Sequence, residues 1–266
     1  MKEARKEPFV YERTNHGKSL MGNQHFHHEM FEVYFLEEGN CHYFIDDKAY
    51  DVIPGDVVLV PEGVIHKTMY DNAGHSRRLL YLSPSYIPTS VLMQLSSLLY
   101  VYRNPALTER IRGVFDAIEE EYLSPNRFSE DALRHYAGIL FCLLARNAAP
   151  SMLPAAENAY TTQTIAYIKG NYREEIRLSD LARRCSISPE HLSRLFKRET
   201  GFGISEYLTM IRLQQACRLL REAPHLQVAK IADLCGYNDS NYFSEQFKRA
   251  YGTSPLHFRK HGFPPA

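Results

Sequence analysis

From residue 9 to about 82 the apolar positions come in short runs broken by turn-forming residues. Val33-Tyr34-Phe35-Leu36 precedes Glu38-Gly39-Asn40, and His42-Tyr43-Phe44-Ile45 precedes Asp46-Asp47-Lys48. Further runs cover 49–53, 57–60 and 64–69, with Pro54-Gly55 and Pro61-Glu62-Gly63 as punctuation. Runs this short, rich in β-branched and aromatic residues, predict strands. A succession of them with no intervening helix predicts an all-β barrel or sandwich.

Past residue 88 the period lengthens to that of a helix. Asn104-Pro105 reads as an N-cap with proline at the first helical position, and Leu107, Ile111, Val114, Phe115, Ile118 and Tyr122 then share one stripe. A second helix is predicted from Ser129 to about Asn147, with Leu133, Tyr136, Leu140, Phe141 and Leu144 on its apolar side. Such faces suit either packing on the barrel or a dimer seam. Residues 149–159, APSMLPAAENA, are small, proline-containing and without period, which marks a linker. The chain is therefore read as multidomain: a barrel over 1–87, a helical segment over 88–148, the linker, and an all-α domain over 160–266.

That last domain contains a duplication. At a spacing of 50 residues Leu181-Ala182 and Cys185 match Ile231-Ala232 and Cys235; at 51, Leu192, Phe196-Lys197-Arg198 and Gly201 match Phe243, Phe247-Lys248-Arg249 and Gly252. Each copy predicts a helix-turn-helix unit, over 178–199 and 228–250, whose second helix is capped by Ser188 before Pro189 or by Asp239 and closed by a glycine. The second helices bury Leu192, Leu195 and Phe196, or Phe243 and Phe247. Their opposite faces carry Glu190, Ser193, Arg194 and Lys197, or Asn241, Ser244, Glu245 and Lys248. Arginine can pair bidentately with guanine, asparagine with adenine, and glutamate can accept from a cytosine amino group. Polar faces of this kind also occur on any solvated bundle. The duplication and the helix predicted between the copies, 204–221 and about 27 Å long at 1.5 Å per residue, favour two helices held in adjacent major-groove segments ~34 Å apart.

Charge supports that division. The whole chain has formal net charge zero, but residues 1–159 hold 15 Lys and Arg against 21 Asp and Glu, whereas 160–266 hold 16 against 10. The basic balance of +6 lies in the half that would meet phosphates. Five cysteines, odd in number and without a CxxC pair, argue against a disulfide framework or a cysteine-built zinc site. The charged start MKEARKEPFVYERTNHGK and the lack of any run near ~18 apolar residues predict a cytoplasmic protein with no membrane partner.

Residues 160–262 resemble the DNA-binding domain of AraC/XylS-type regulators, through the pieces LSDLARRCSISPEHLSRLFKRETG, SEYLTMIRLQQACRLL and VAKIADLCGYNDSNYFSEQFKRAYGTSPLHFRK. The resemblance implies a bacterial seven-helix domain whose second helices both enter the major groove. Family base-contacting positions fall on Glu190, Ser193 and Arg194, and on Ser240, Asn241, Ser244 and Glu245. Glu245 stands where the first copy has Arg194, so the second helix is expected to attract DNA less. Lys197, Arg198, Lys248 and Arg249 suit phosphate contact or helix packing. The family also implies RNA polymerase as a partner and activation as the usual polarity.

In the front half, His25-x-His27-x4-Glu32-x6-Gly39 and Gly55-x5-Pro61-x-Gly63-x2-His66 resemble the two cupin motifs, which implies a cupin-like barrel bringing His25, His27, Glu32 and His66 together. Ser19 and Tyr70 stand where those motifs usually have glycine and asparagine. Three imidazoles and a carboxylate suit a divalent transition metal; the preferred reading is a metal-free pocket for a small effector of sugar-like chemistry, with Tyr34, Tyr43, His28 and His42 as further lining candidates. No catalytic triad, phosphate-binding glycine loop or paired catalytic carboxylate is present, so no catalytic residue is assigned and no cofactor is required. The expected protein is a homodimeric, ligand-controlled transcription regulator acting on promoter double-stranded DNA. The competing readings are a metal-dependent cupin enzyme with a helical oligomerisation tail and a helix-turn-helix protein used for protein contacts.

Overall fold

The computed structural model describes residues 9–16, 30–70, 74–94, 100–146 and 158–262, with only the backbone of 15 and 16. His25, His27 and His28 lie outside the described residues, as does nearly all of the expected linker. The chain forms two compact units, one of residues 8–155 and one of the chain from 156 onward.

The first unit contains strands β1 (Phe9–His16), β2 (Phe31–Glu38), β3 (Cys41–Ile45), β4 (Lys48–Val52), β5 (Val57–Val60), β6 (His66–Tyr70), β7 (His75–Leu82) and β8 (Val101–Tyr102). They make a five-stranded sheet in the order β1-β7-β2-β5-β8 and a three-stranded sheet in the order β4-β3-β6, with antiparallel pairing throughout. The β3–β4 hairpin turns on Asp46 and Asp47, at φ 44° and 83°, the double left-handed geometry that matches strand twist in a two-residue loop. The larger sheet is buried on both faces. Tyr34, Leu36, Val58, Leu79 and Tyr81 face the smaller sheet, while Phe31, Val33, Phe35, Leu80 and Leu82 face helices. Burial on two sides is why 33–36 and 57–60 read as continuous apolar runs instead of alternating ones.

The helices on the outer face are α2 (Thr108–Leu123) and α3 (Ser129–Arg146), which follow the short α1 (Thr89–Leu92). Their apolar stripes go to the sheet: Phe115 stacks on Phe35 with centroids 5.3 Å apart, and Phe141 meets Phe31 edge-on at 6.3 Å. Two local expectations are corrected. Asn104 does not cap α2. Its side chain accepts from Ala106 N at 3.1 Å in a turn of its own, and α2 begins at Thr108 with Leu107 as N-cap. The segment before it also holds a strand, β8, whose two residues complete the sheet edge against β5.

One polar cluster fixes α2 to the sheet. The Glu37 carboxylate, 5% exposed, takes Arg78 at 2.8 Å, Arg13 at 3.2 Å and, from α2, Arg112 at 3.2 Å. Ser76 Oγ donates to it at 3.1 Å, and Arg78 also reaches Asp116 of α2 at 2.5 Å. Burial pushes the Glu37 carboxyl up, but the Arg78 hydrogen bond and charge, with Ser76 and Arg13, outweigh it and hold it below the usual range.

The second unit is helical: α4 (Ala159–Asn171), α5 (Leu178–Arg184), α6 (Pro189–Thr200), α7 (Ile204–Glu222), α8 (Val228–Leu234), α9 (Ser240–Tyr251) and α10 (Pro255–His261). These are the seven helices the resemblance implies. α5–α6 and α8–α9 are the two helix-turn-helix copies. Leu181, Ala182, Cys185 and Leu192 form one small core, and Ile231, Ala232, Cys235, Phe243, Phe247 and Phe258 a second. α7 belongs to both, giving Ile204 and Tyr207 to the first and Leu213, Ala216, Cys217 and Leu220 to the second.

The turns between paired helices need one left-handed residue, at matching positions: Ser186 at φ 55° and Gly236 at φ 83°. At Gly236 the constraint is double, because a Cβ would lie 2.8 Å from both the Tyr172 and Arg173 carbonyl oxygens. Arg212 of α7 completes the junction, Nε donating to Tyr172 O at 2.7 Å and Nη2 to Glu174 O at 2.8 Å, with its guanidinium over the Tyr237 ring.

Two outcomes follow from these contacts. Glu37→Gln leaves the buried Arg78 with an incomplete counter-charge and should lower stability in urea unfolding by about 3–5 kcal/mol. In the wild type the Glu37 contribution is present above its unfolded value near ~4.5 and is lost as pH falls through its depressed folded value; an acid limb unchanged by the substitution would contradict this. Ser186→Gly relieves a left-handed β-carbon and should raise stability by about 0.5–1 kcal/mol, whereas Gly236→Ala should cost more than about 2 kcal/mol; calorimetry showing equal effects at the two positions would remove the assigned asymmetry.

Candidate functional site

The second helix of each copy is built to present one polar face at a fixed angle. In α6 the Ser188 side chain accepts from His191 N at 3.2 Å, Pro189 opens the helix, and Gly201 at φ 75° closes it. In α9 Asp239 accepts from Asn241 N and Tyr242 N at 2.7 and 3.0 Å, and Gly252 closes at φ 68°. Caps at both ends satisfy first-turn N–H and last-turn C=O groups, so neither helix frays at the end it would lead with. The expected apolar stripes are buried: Leu192, Leu195, Phe196, Phe243 and Phe247.

On the opposite faces Glu190, Arg194, Lys197, Asn241, Glu245 and Lys248 are exposed, and Ser193, Ser240 and Ser244 are half-buried. Each copy therefore brings its expected residues onto one surface. Two of them have internal roles as well. A backbone N–H at its own position, then the Ser188 hydroxyl and Arg194, hold the Glu190 carboxyl below the usual range, so Glu190 helps cap α6. Ser244 Oγ donates to Ser240 O at 2.8 Å. Tyr242, 55% exposed at the start of α9, joins this face without having been expected there.

In the strand-rich unit the interior between the two sheets is lined by tyrosines. Tyr34 and Tyr43 meet edge-on at 5.2 Å, and both are buried. Tyr43 OH donates to Glu32 Oε1 at 2.5 Å, and His66 Nε2 lies 3.2 Å from Glu32 Oε2. His66 Nδ1 lies 2.8 Å from the Val64 carbonyl oxygen, which can only accept, so Nδ1 carries a proton. Of the four expected metal ligands, then, Glu32 and His66 are paired with each other, while His25 and His27 are outside the described residues. A protonated Nδ1 on a backbone carbonyl leaves Nε2 as the nitrogen a metal would use, so the pair suits either occupant. Among the described residues no group of three metal-ligating side chains occurs.

His42 is corrected. It alternates with the inward Tyr43 on β3, points to solvent with its side chain 53% exposed, and pairs with Asp51 at 2.6 Å. Residues not singled out from sequence take its place. Along β7, His75, Arg77, Leu79 and Tyr81 share a face by strand alternation. His75 stacks on Tyr70 with centroids 3.6 Å apart, and Arg77 Nη1 donates to Tyr70 OH at 2.5 Å. The Arg77 guanidinium lies 5.8 Å from the Tyr34 ring centre and 5.5 Å from that of Tyr70.

The family model of an AraC-like ligand binding domain matches residues 10–137, and that of a helix-turn-helix domain matches residues 181–261. The chain is similar to the Msm operon regulatory protein of Streptococcus mutans, at 27% identity over 244 residues, covering 86% of this chain and 84% of that one. It is likewise similar to the HTH-type transcriptional activator RhaR of Mannheimia succiniciproducens, at 27% identity, with 87% and 85% covered. Among solved structures, the C-terminal domain of AraT, a response regulator from Geobacillus stearothermophilus, aligns at 32% identity over 40% of this chain and 88% of that one, with a TM-score of 0.38. Among the described residues no helix is long and apolar enough to cross a membrane.

Burial lowers the His66 pKa, but the charge and hydrogen bond of Glu32 and the Val64 carbonyl outweigh it and leave it above 6.5. The pair's stabilisation is therefore full below the unfolded value near ~6.5 and is lost as pH rises through the raised folded value. Glu32→Gln should drop the His66 titration, followed by NMR of its ring protons, below that of an unperturbed histidine; an unchanged midpoint would remove Glu32 as the cause.

Proposed function

Because this chain belongs to the AraC family of transcription regulators, we propose that α6 and α9 read two successive major-groove segments of promoter DNA under the control of a small molecule held by the strand-rich unit. The observation that carries this reading is the pair of helices capped at both ends, each with one face free of apolar side chains except Tyr242 and both tied to a shared α7. At 19 residues α7 is about 28 Å long, which matches the spacing of major-groove segments on one side of a duplex.

Arg194 is the residue assigned to guanine and Asn241 to adenine, while Ser193, Ser240 and Ser244 take neighbouring base edges or phosphates. Glu190 has to leave its cap to accept from cytosine, so its contribution to specificity comes at a cost to α6. Glu245, in the place of Arg194, repels phosphate and leaves Lys248 as the nearer source of attraction on α9. Lys197 and Lys248 are assigned to phosphates, giving affinity without sequence information. Within the strand-rich unit, Tyr34, Tyr43, Glu32 and His66, with His25 and His27, are assigned to the effector site, and no metal is required for it.

The reading extends to a homodimer, since one pair of helices spans few base pairs, to contact with RNA polymerase, and to activation; the similar protein RhaR is named an activator. It describes a binding protein without a catalytic step. Elemental analysis after purification without chelator should find no stoichiometric transition metal.

Selection of the full chain on a random duplex library, followed by titrations across a salt series, is the decisive experiment. Arg194→Ala should cost about 1–3 kcal/mol and relax preference at one position of the selected site, whereas Lys197→Ala should weaken all sequences alike and reduce the salt slope by about one. Failure of the wild type to retain any duplex at low salt would sink the DNA reading.

A further inference from the structure

Arginines that dock on the sheets are matched to carboxylates. Arg78 is held by Glu37 and Asp116, Arg103 by Asp56 at 2.7 Å, and Arg112 and Arg13 by Glu37. Arg77, one residue away on β7, has no such match. Its strand parity turns it into the interior, where its Nη1 meets the neutral Tyr70 hydroxyl, its Nε is buried with no hydrogen-bond partner, and no carboxylate pairs with it among the described residues. Burial pushes the Tyr34 and Tyr70 phenols up, Tyr70 to about 12, so neither supplies a counter-charge at neutral pH. The guanidinium itself stays protonated at any physiological pH.

A half-buried cation with no anion paired to it and a buried, unbonded Nε is costly, and stacking on two tyrosine rings offsets only part of that cost. Nη1 is occupied by Tyr70, which leaves the edge formed by Nε and Nη2. Two parallel N–H donors on one planar edge are the arrangement that binds a carboxylate through both oxygens. The Tyr43–Glu32–His66 chain lines the same interior, with the carboxylate and imidazole already paired to each other, and offers hydrogen bonds to hydroxyl groups.

We propose that the effector of the strand-rich unit is a small hydroxylated carboxylate whose acid group is taken by the Nε–Nη2 edge of Arg77. The inference rests on the reading of this unit as a ligand sensor and narrows it from neutral, sugar-like molecules to acids.

The test is thermal unfolding of the full chain with acetate, benzoate and glucuronate, each against chloride at equal ionic strength. Acetamide, benzamide and glucose serve as neutral counterparts, and inorganic phosphate as a different oxyanion. At least one carboxylate should raise the wild-type midpoint saturably where its counterpart does not. The shift should vanish in Arg77→Met, and apparent affinity should fall about tenfold in Arg77→Lys, which keeps the charge but lacks the two-donor edge. Carboxylates that act no more than their neutral counterparts, or equally on Arg77→Met, overturn the inference. A phosphate effect larger than that of every carboxylate overturns the carboxylate assignment. A neutral sugar that stabilises wild type and Arg77→Met alike leaves the sensor reading standing and removes this inference alone. Should Arg77→Met fail to fold, the Arg77 Nε resonance of the wild type decides: it should move with acetate and stay still with chloride, and no movement counts against the proposal.

Discussion

Two helices can read one duplex together only if the distance and angle between them are fixed, and in this protein a single helix carries that requirement. α7 gives its first turns to the core under α6 and its later turns to the core under α9, so neither core is complete without it. Arg212, from the middle of α7, satisfies the carbonyls that end the α4 segment while lying on the ring of Tyr237 in the second turn. Gly236 lets that turn approach the Tyr172 and Arg173 carbonyls closely. The caps, the left-handed turns and the buried phenylalanines then decide which face of each helix is presented, but the spacing between faces comes from α7.

Much of this was legible in the chain because helical period and capping are local. Ser188-Pro189, Asp239, Gly201 and Gly252 each act within one turn of their own helix, and their recurrence at a constant offset announced two equivalent units. Leu192, Phe196, Phe243 and Phe247 declared the buried side for the same reason. What escaped was non-local or too short to show a period. β8 is two residues whose strand character exists only through pairing with Val57 and Val58. Asn104 has the composition of a cap, but its side chain closes an earlier turn.

The strand-rich unit shows the same limit. A short motif singled out Glu32 and His66, and their hydrogen bond places both in the interior. His42 and Tyr43 are adjacent, and sequence alone could not tell which of the two faces inward; pairing with β4 and β6 settles it. Arg77 was passed over because an arginine in a strand ordinarily points to solvent or to a partner. Its place among tyrosines becomes visible only when β2, β6 and β7 are brought together across two sheets.

The arginine cluster at Glu37 has a mechanical consequence. One carboxylate on β2 is gripped by cations from β1 and β7 of the sheet and from α2 of the helical layer, beside closely packed apolar side chains. For α2 to slide along the sheet, Arg112 and Asp116 would have to let go of Glu37 and Arg78, whose buried charges would then lose partners that water cannot readily replace, and intermediate positions would be penalised. The helical layer therefore behaves as a latch with discrete seats instead of a sliding surface, and any signal crossing it from the interior of the sheets is delivered as a step.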